Sequence, residues 1–199
     1  LLEADLLPFD RQIFHIYSNV IHFQEICYSF SCLIDLIEIQ DKVIAEALGI
    51  KVGDRVSYYD VMKNASELKP YITNLTDKKE NKWTDSDWAL SKIITELNEI
   101  SQDKFARLVK VIPPENAIAE ENWLSPWELM DNQQIGVKQN QILNVLSNYL
   151  NARLNGKELL AKNALAEYKE ALAPYHNLFN IKRIKTETGY NDANLFIKS

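Results

Sequence analysis

The chain has 199 residues, of which 46% are apolar and 25% are charged, and its formal net charge is −6. This composition is typical of a globular protein that is long enough to bury a real core. With only 5 glycines and 6 prolines, collagen-like and low-complexity architectures are excluded, and the acidic balance argues against bulk attraction to nucleic acid or an anionic membrane.

The first strong pattern lies between Phe9 and Leu48, a stretch without glycine or proline. Apolar residues recur there at spacings of mainly three and four, which is a helical period. They are Ile13, Ile16, Val20, Phe23, Cys27, Phe30, Ile34, Ile37, Ile44 and Leu48. The pattern predicts one long helix, or two helices with a break near Ser29–Ser31, because serine competes for backbone hydrogen bonds.

The same stretch carries further apolar side chains off this heptad stripe, among them Phe14, Ile21 and Leu36. A helix that is apolar around most of its circumference must be covered on several sides. We therefore expect it to be the central helix that organises a bundle. The alternative is that it forms part of the seam of a homodimer.

Capping residues, prolines and a polar loop divide the next part of the chain into predicted helices. Asp54 or Ser57 is expected to begin a short helix that Pro70 ends. Residues 76–84 (TDKKENKWT) read as a polar surface loop. Thr84 then offers an N-cap to a helix whose apolar spacing continues to Ile112, where two prolines follow.

The clearest capping signal is Ser125-Pro126-Trp127-Glu128, with an N-cap serine, a proline at the first helical position and a closing glutamate. A helix that carries Ile142 and its apolar partners should end at Asn155-Gly156. Another should run from Leu159 to Leu172. The tail after Ile181 predicts either a last helical turn or a short strand.

Together these signals predict an all-α fold, a helical bundle of about six or seven helices organised around the long apolar N-terminal helix. We expect residues 1–199 to form a single domain, and the polar loop 76–84 is the best position for a subdivision. No segment of the chain is apolar enough to predict a membrane span, and the closest candidate is the stretch from Gln12 to Ile34.

Charge is unevenly placed along the chain. Residues 1–50 hold 2 basic and 8 acidic residues, whereas the basic patch 181–185 (IKRIK) lies near the C-terminus. The acidic N-terminal part is expected either to lie near the basic C-terminal part or simply to face solvent, where ion pairs contribute little. The same patch is the one candidate for binding nucleic acid, which we expect to be an unlikely partner.

Familiar signatures of catalysis are absent from the sequence. There is no phosphate-binding glycine loop, no nucleophile elbow and no zinc-type spacing of cysteine and histidine. Cys27 and Cys32 are five residues apart, roughly 7.5 Å along a helix, which is too far for an ordinary disulfide. Two reduced thiols in apolar surroundings favour a cytoplasmic protein, and no cofactor is predicted.

A few side chains could still carry chemistry. His22 and Glu25 are one helical turn apart and could share a metal, although no second copy of the motif exists. Arg11 and His15 could hold and protonate a phosphate. They resemble the arginine–histidine motif of the helical HEPN-type ribonucleases, but the spacing here is shorter.

Tryptophans cluster at two predicted helix starts, and Trp123 and Trp127 are four residues apart. Such residues are either core and staple residues or a binding hot spot.

With no assigned catalytic, cofactor or metal residue, the sequence favours a non-enzymatic protein-interaction module: an adaptor, an inhibitor or a regulatory partner. It would bind another protein or a second copy of itself. The alternative is a small nucleic-acid-processing or metal-dependent helical enzyme.

Overall fold

In a computed structural model, residues 7–102, 109–114, 123–131 and 135–178 are described. Their fold is all-α, as the sequence predicts. The helices are α1 (Pro8–Phe30), α2 (Lys42–Leu48), α3 (Tyr58–Lys63), α4 (Ala65–Asp77), α5 (Asp85–Ser101), α6 (Pro126–Asp131), α7 (Val137–Leu154) and α8 (Glu158–Leu172). Two short strands, β1 (Ile37–Glu38) and β2 (Arg55–Val56), pair antiparallel, with Ile37 opposite Val56.

The N-terminal helix is shorter than the helix that the heptad pattern predicts. α1 ends at Phe30, and a 3-10 turn (Ser31–Leu33) follows. The chain then becomes extended in β1, and α2 begins only at Lys42. The break near Ser29–Ser31 is therefore found, and the single long helix is wrong. Ser29 and Ser31 each donate a side-chain hydrogen bond to a carbonyl of the preceding turn, which is the competition that weakens a helix there.

Proline did not end the helix where expected. Pro70 lies inside α4, which continues to Asp77. A proline in a helix forfeits the hydrogen bond to the carbonyl four residues earlier and costs stability. Leu75, which follows it, is buried in the core, so packing of the last turns outweighs the local penalty.

The predicted extension of α5 towards Ile112 is also wrong for the described residues of this segment. α5 ends at Ser101, and Ile112 forms an isolated antiparallel bridge with Leu124. Residues 103–108 lie outside the described part of the chain, as do the tail beyond Ile181 and the basic patch 181–185. Ile112 is fully buried, so its apolar spacing records burial rather than helix.

The capping residues predicted from the sequence are found at the starts of their helices. Ser57 caps α3 and Thr84 caps α5, each in a reciprocal capping box. Ser125 Oγ accepts from the Glu128 backbone N–H, and the Glu128 carboxylate accepts from the Ser125 N–H. Gly156, with φ 67°, follows the end of α7 in the left-handed region that favours glycine.

The core consists of two clusters of apolar side chains. The first lies between the β1–β2 pair, α2, α3, α4 and α5: Ile37, Ile39, Ile44, Ala45, Leu48, Val56, Val61, Leu68, Leu75, Leu90 and Ile93. The second lies around the 3-10 turn, α3, α6 and α7: Cys32, Leu33, Tyr59, Ile112, Trp127, Leu129, Ile142, Leu143 and Leu146. Ile100, at the end of α5, packs against both. No residue of α1 belongs to the buried set of either cluster, so its predicted role as the central organising helix is not confirmed.

The predicted loop 76–84 is largely the connection between α4 and α5, with a 3-10 turn at Glu80–Lys82. A subdivision of the chain there stays a prediction. The connection is pinned to α5 by one carboxylate. Asp87 accepts from the Thr84 N–H at 2.7 Å, from the Thr84 hydroxyl at 2.8 Å and from Lys78 Nζ at 2.9 Å.

The same hydrogen bonds lower the pKa of Asp87 from 3.8 to about 2, first through the Thr84 backbone and then through Lys78. Because the folded pKa lies below the unfolded one, the ionised carboxylate stabilises the fold above pH 4, and this contribution is lost as the pH falls towards 2. We predict that Asp87→Asn lowers the melting temperature at pH 7, and that the difference from the wild type narrows between pH 4 and pH 2.

The matched control is Asp85→Asn, which removes an exposed carboxylate from the same helical turn. Thermal unfolding followed by circular dichroism at pH 7, 4 and 2 measures both variants. The interpretation fails if Asp87→Asn melts with the wild type at pH 7, or if its deficit is as large at pH 2 as at pH 7.

Candidate functional site

α1 presents its apolar stripe to solvent. The six heptad residues on the stripe are Phe9 (70% exposed), Ile13 (50%), Ile16 (65%), Val20 (50%), Phe23 (67%) and Cys27, which is also exposed. Tyr17 and Ile26, at the edges of the stripe, are more than half exposed as well. Soluble monomers rarely expose a contiguous apolar surface of this length. This stripe, called below the α1 outer face, is the first candidate site.

The opposite face of α1 turns towards the rest of the protein, and it is mostly polar. Its buried or half-buried residues are Ser18, Ile21, Glu25 and Ser29. They recur every three or four residues and so share one side of the helix. At about 100° per residue this side lies opposite the α1 outer face. α1 is therefore amphipathic, but its apolar side faces solvent and its polar side faces the protein.

Among the described residues, the hydrogen bonds that hold α1 to the rest of the protein come from its last turn. Trp127 Nε1 donates to the Tyr28 carbonyl at 3.0 Å, and the Val109 N–H donates to Ser29 Oγ at 3.4 Å. Phe30 packs partly buried against the second core cluster. The anchor therefore lies at the C-terminal end of α1, and the outer face extends away from it.

The tryptophan pair belongs to the core. Trp127 is 3% exposed and its ring lies 4.9 Å from that of Tyr58. Trp123 is 6% exposed and its ring meets that of Tyr175 edge-on at 6.5 Å. Trp123 precedes α6 rather than lying on it, so the two do not share a helix face. The hot-spot alternative is therefore wrong for this pair.

The predicted chemical residues of α1 are brought together only in part. His22 Nδ1 and Glu25 Oε2 are 2.9 Å apart, with the histidine side chain 72% exposed. In the described part of the chain, no three side chains of the metal-binding types converge. Arg11 and His15 lie one turn apart on the exposed part of the same helix, and the side chain of His176 lies outside the described residues.

The two cysteines have opposite surroundings. Both are free thiols, and Cys32 is buried while Cys27 is exposed. Burial raises the pKa of the Cys32 thiol well above its usual value. The expectation that both are core residues therefore holds for Cys32 and is wrong for Cys27.

A second candidate site went unnoticed in the sequence. A cleft of about 460 Å³ lies between α7, α8 and the segment that joins the 3-10 turn to β1. Its lining is dominated by amide and carboxylate side chains, with few apolar ones. The polar residues are Asp35, Asp60, Asn144, Ser147, Asn148, Asn151, Asn155, Lys157, Asn163 and Glu167. We call it the asparagine cleft.

One asparagine of the cleft is committed to the fold. Asn151 Nδ2 donates to the Leu33 carbonyl at 2.9 Å and to Asp35 Oδ1 at 3.1 Å, and its Oδ1 accepts from the Asp35 N–H at 3.0 Å. Ser147 Oγ donates to the same Leu33 carbonyl at 2.9 Å. These bonds tie α7 to the chain just after α1.

The electrostatics of the cleft are dominated by carboxylates. Burial, and secondly the charge of Asp60, raise the pKa of Asp35 from 3.8 to about 6, while Lys157 opposes the shift. Asp35 is therefore charged at neutral pH and becomes neutral under mildly acidic conditions. A cationic group placed beside it would favour the charged form.

A signal for the cleft was present in the sequence. Asn140, Asn144, Asn148, Asn151 and Asn155 are spaced by four, four, three and four residues, which places five amides on one side of α7. Because this stripe is polar, the spacing of apolar residues does not reveal it.

Neither a family model, nor a curated protein, nor a solved structure is similar enough to this chain to indicate a relationship. Among the described helices, none combines the length and the apolarity that crossing a bilayer requires.

We predict that Asn151→Ala destabilises the protein by about 1–3 kcal/mol, because it leaves the Asp35 N–H without its acceptor and removes one donor from the Leu33 carbonyl. Asn148→Ala is the matched control on the same helix, since Asn148 is exposed and should change stability by no more than about 0.5 kcal/mol. Urea unfolding measures both. Equal effects of the two substitutions would contradict the structural role of Asn151.

Proposed function

We propose that this protein is a non-enzymatic protein-interaction module that associates through the α1 outer face, and that the partner on this face is a second copy of the same chain. The observation that carries the proposal is the exposure of the heptad stripe of α1. A cytoplasmic location belongs to the same proposal and is consistent with two free thiols.

The stripe has the pattern that helices use to pair with one another. Its residues repeat at alternating spacings of three and four, which are the a and d positions of a coiled-coil heptad. The polar face of the helix lies towards the body of the protein, so burial of the apolar face needs another molecule. A covering helix would complete the layer that this chain leaves open.

The stripe is also self-complementary when two copies of α1 run antiparallel. Each a position then meets a d position of the other helix, and all six heptad residues find an apolar partner. The layers pair Phe9 with Cys27, Ile13 with Phe23, and Ile16 with Val20, each twice. No residue of the stripe is left opposite a gap, which favours a second copy over an unrelated partner.

Charge does not oppose this pairing. Asp10 is the one formally charged residue next to the stripe, whereas Arg11 and Glu25 lie on the opposite side of the helix. An interfacial membrane helix would instead carry several lysines or arginines on its polar face. Arg11 is the single formally basic residue of Pro8–Phe30, so a protein partner fits the helix better than an anionic bilayer does.

The expected association is reversible. Twelve half-exposed side chains, six from each copy, would gain on the order of 10 kcal/mol by being covered. Association itself costs roughly 4–15 kcal/mol in lost translational and rotational freedom. At the low end of that cost the net free energy of association is about −6 kcal/mol, so we expect a reversible dimer with a dissociation constant on the order of tens of micromolar rather than an obligate one.

We predict a concentration-dependent monomer–dimer equilibrium in sedimentation velocity and light scattering. Ile16→Glu should weaken the dimer at least tenfold, because the introduced charge would be buried in both central layers. Asn19→Glu is the matched control, since it adds the same charge at an exposed position of the same helix and should leave the dimer largely intact.

Ile16 is already 65% exposed, so the substitution should not change the melting temperature of the monomer. A wild-type chain that stays monomeric at about 100 μM would contradict the proposal. A finding that residues 179–199 of the same chain cover the α1 outer face would contradict it as well. Equal loss of dimer in the two variants would also contradict it.

A disulfide test separates the antiparallel from the parallel arrangement. In the antiparallel register, Phe9 faces the partner's Cys27, so Phe9→Cys should give a covalent dimer on mild oxidation. In a parallel register the two native thiols would face each other, and the wild type itself would cross-link. We predict the first outcome, measured by non-reducing electrophoresis and peptide mapping of the disulfide.

The control is the double variant Phe9→Cys/Cys27→Ser. It should lose the cross-link if the bond joins position 9 to position 27, and keep it if the introduced thiols pair with each other. A covalent dimer of the wild type, or of this double variant, would overturn the antiparallel register.

A further inference from the structure

We infer that the asparagine cleft binds an extended peptide segment that carries lysine or arginine side chains. The cleft lies on α3, α7 and α8, whereas the proposed dimer uses α1. The inference therefore goes beyond the proposed function and does not depend on it. The cleft is open to solvent on one side, and its volume of about 460 Å³ lies in the size range of ligand-binding clefts.

The cleft offers hydrogen-bonding groups that the fold does not use. Asn148 and Asn163 are exposed and make no side-chain hydrogen bond to the described residues. Asn155 donates one N–H to the Asn151 carbonyl, which leaves its second N–H and its oxygen open. Asn144 also uses only part of its capacity, donating to the Asn140 carbonyl and accepting from Lys63 Nζ.

These amides match the main chain of a peptide. A side-chain amide supplies both donors and acceptors, and so does each peptide group, so one asparagine can bind the N–H and the carbonyl of an extended chain together. The asparagine stripe from Asn144 to Asn155 covers 11 residues of helix, or about 16.5 Å. That length corresponds to roughly five residues of an extended strand.

The charges select the side chains of the peptide. Among the described residues, Asp35, Asp60 and Glu167 line the cleft together with Lys157, and Lys63 Nζ contacts the cleft through Asn144. Carboxylates in this excess attract ammonium and guanidinium groups and repel anions. Leu160 and Ala164 add apolar surface on which the methylene stem of a lysine or arginine can lie.

Other polar ligands fit less well. None of the described residues that line the cleft is aromatic, so a nucleobase would find no ring to stack on. Phosphate groups would meet three carboxylates. A free polyamine shares the charge of a basic peptide but offers no peptide groups to the asparagines, and it therefore serves as the discriminating competitor.

The test is titration of the full-length protein with an acetylated, amidated pentapeptide of sequence AKAKA, followed by NMR of the asparagine side-chain amides and by calorimetry. Its counterpart AEAEA and the polyamine spermidine are titrated in parallel. We expect saturable binding of AKAKA with shifts of the Asn148 and Asn163 amides, and at least fivefold weaker binding of either competitor.

Asn148→Ala/Asn163→Ala should weaken AKAKA at least fivefold without altering the melting temperature, because both side chains are exposed and make no hydrogen bond to the described residues. Asn74→Ala, which alters an exposed asparagine on α4, should bind like the wild type. Binding should also weaken between pH 7.5 and pH 5 as Asp35 becomes neutral, and Asp35→Asn should flatten that dependence. The other charged side chains at the cleft are Asp60, Glu167, Lys157 and, through its hydrogen bond to Asn144, Lys63.

Absence of AKAKA binding would overturn the inference. Binding that survives the double asparagine substitution would do so too, as would spermidine or AEAEA binding as tightly as AKAKA. The proposed dimer is not at stake in these outcomes, because sedimentation velocity of the cleft variants reports it separately. The cleft variants should dimerise like the wild type.

Discussion

The carbonyl of Leu33 is the point on which the arrangement of the chain depends. It accepts hydrogen bonds from Ser147 and Asn151 of α7, which come from more than a hundred residues further along the sequence. Leu33 itself is fully buried. A long-range bond to the backbone at this position fixes where the chain leaves α1 and enters the core, and it determines which side of α1 faces the protein.

From this anchor follows the exposure of α1. The last turn is held by Trp127 and by the Val109 N–H, which donates to Ser29 Oγ. From Ser18 to Ser29 the polar side of the helix faces the protein. An apolar stripe that faces outward is unfavourable for an isolated chain in water. The proposed antiparallel dimer resolves this, because it covers the stripe of each copy with the stripe of the other and leaves the body of each protein unchanged.

The asparagine cleft follows from the other side of the same anchor. α7 packs Ile142, Leu143 and Leu146 into the second core cluster, while its Asn144, Asn148 and Asn151 line the cleft. Asn151 serves the fold and Asn148 does not, although both lie on one stripe. Position on a helix face therefore does not separate a structural amide from one that is free to bind, whereas the hydrogen-bond partners do.

The starts of three helices could be predicted from the sequence, because capping is local. Ser57, Thr84 and Ser125 each bind a backbone group three residues away, and such contacts need no knowledge of the rest of the chain. The all-α fold follows from these ends and from the helical spacing of apolar residues between them. The break after α1 was visible for the same reason, in its serines.

The tertiary structure alone decided which apolar residues are buried. Ile16 and Ile112 have equally apolar neighbours in the sequence, yet Ile16 is 65% exposed on α1 and Ile112 is fully buried in an extended bridge. Likewise Pro70 stays helical because α4 packs on the core, and the cleft exists because α7 and α8 converge. Burial depends on residues far away in the chain, and spacing along one segment does not contain that information.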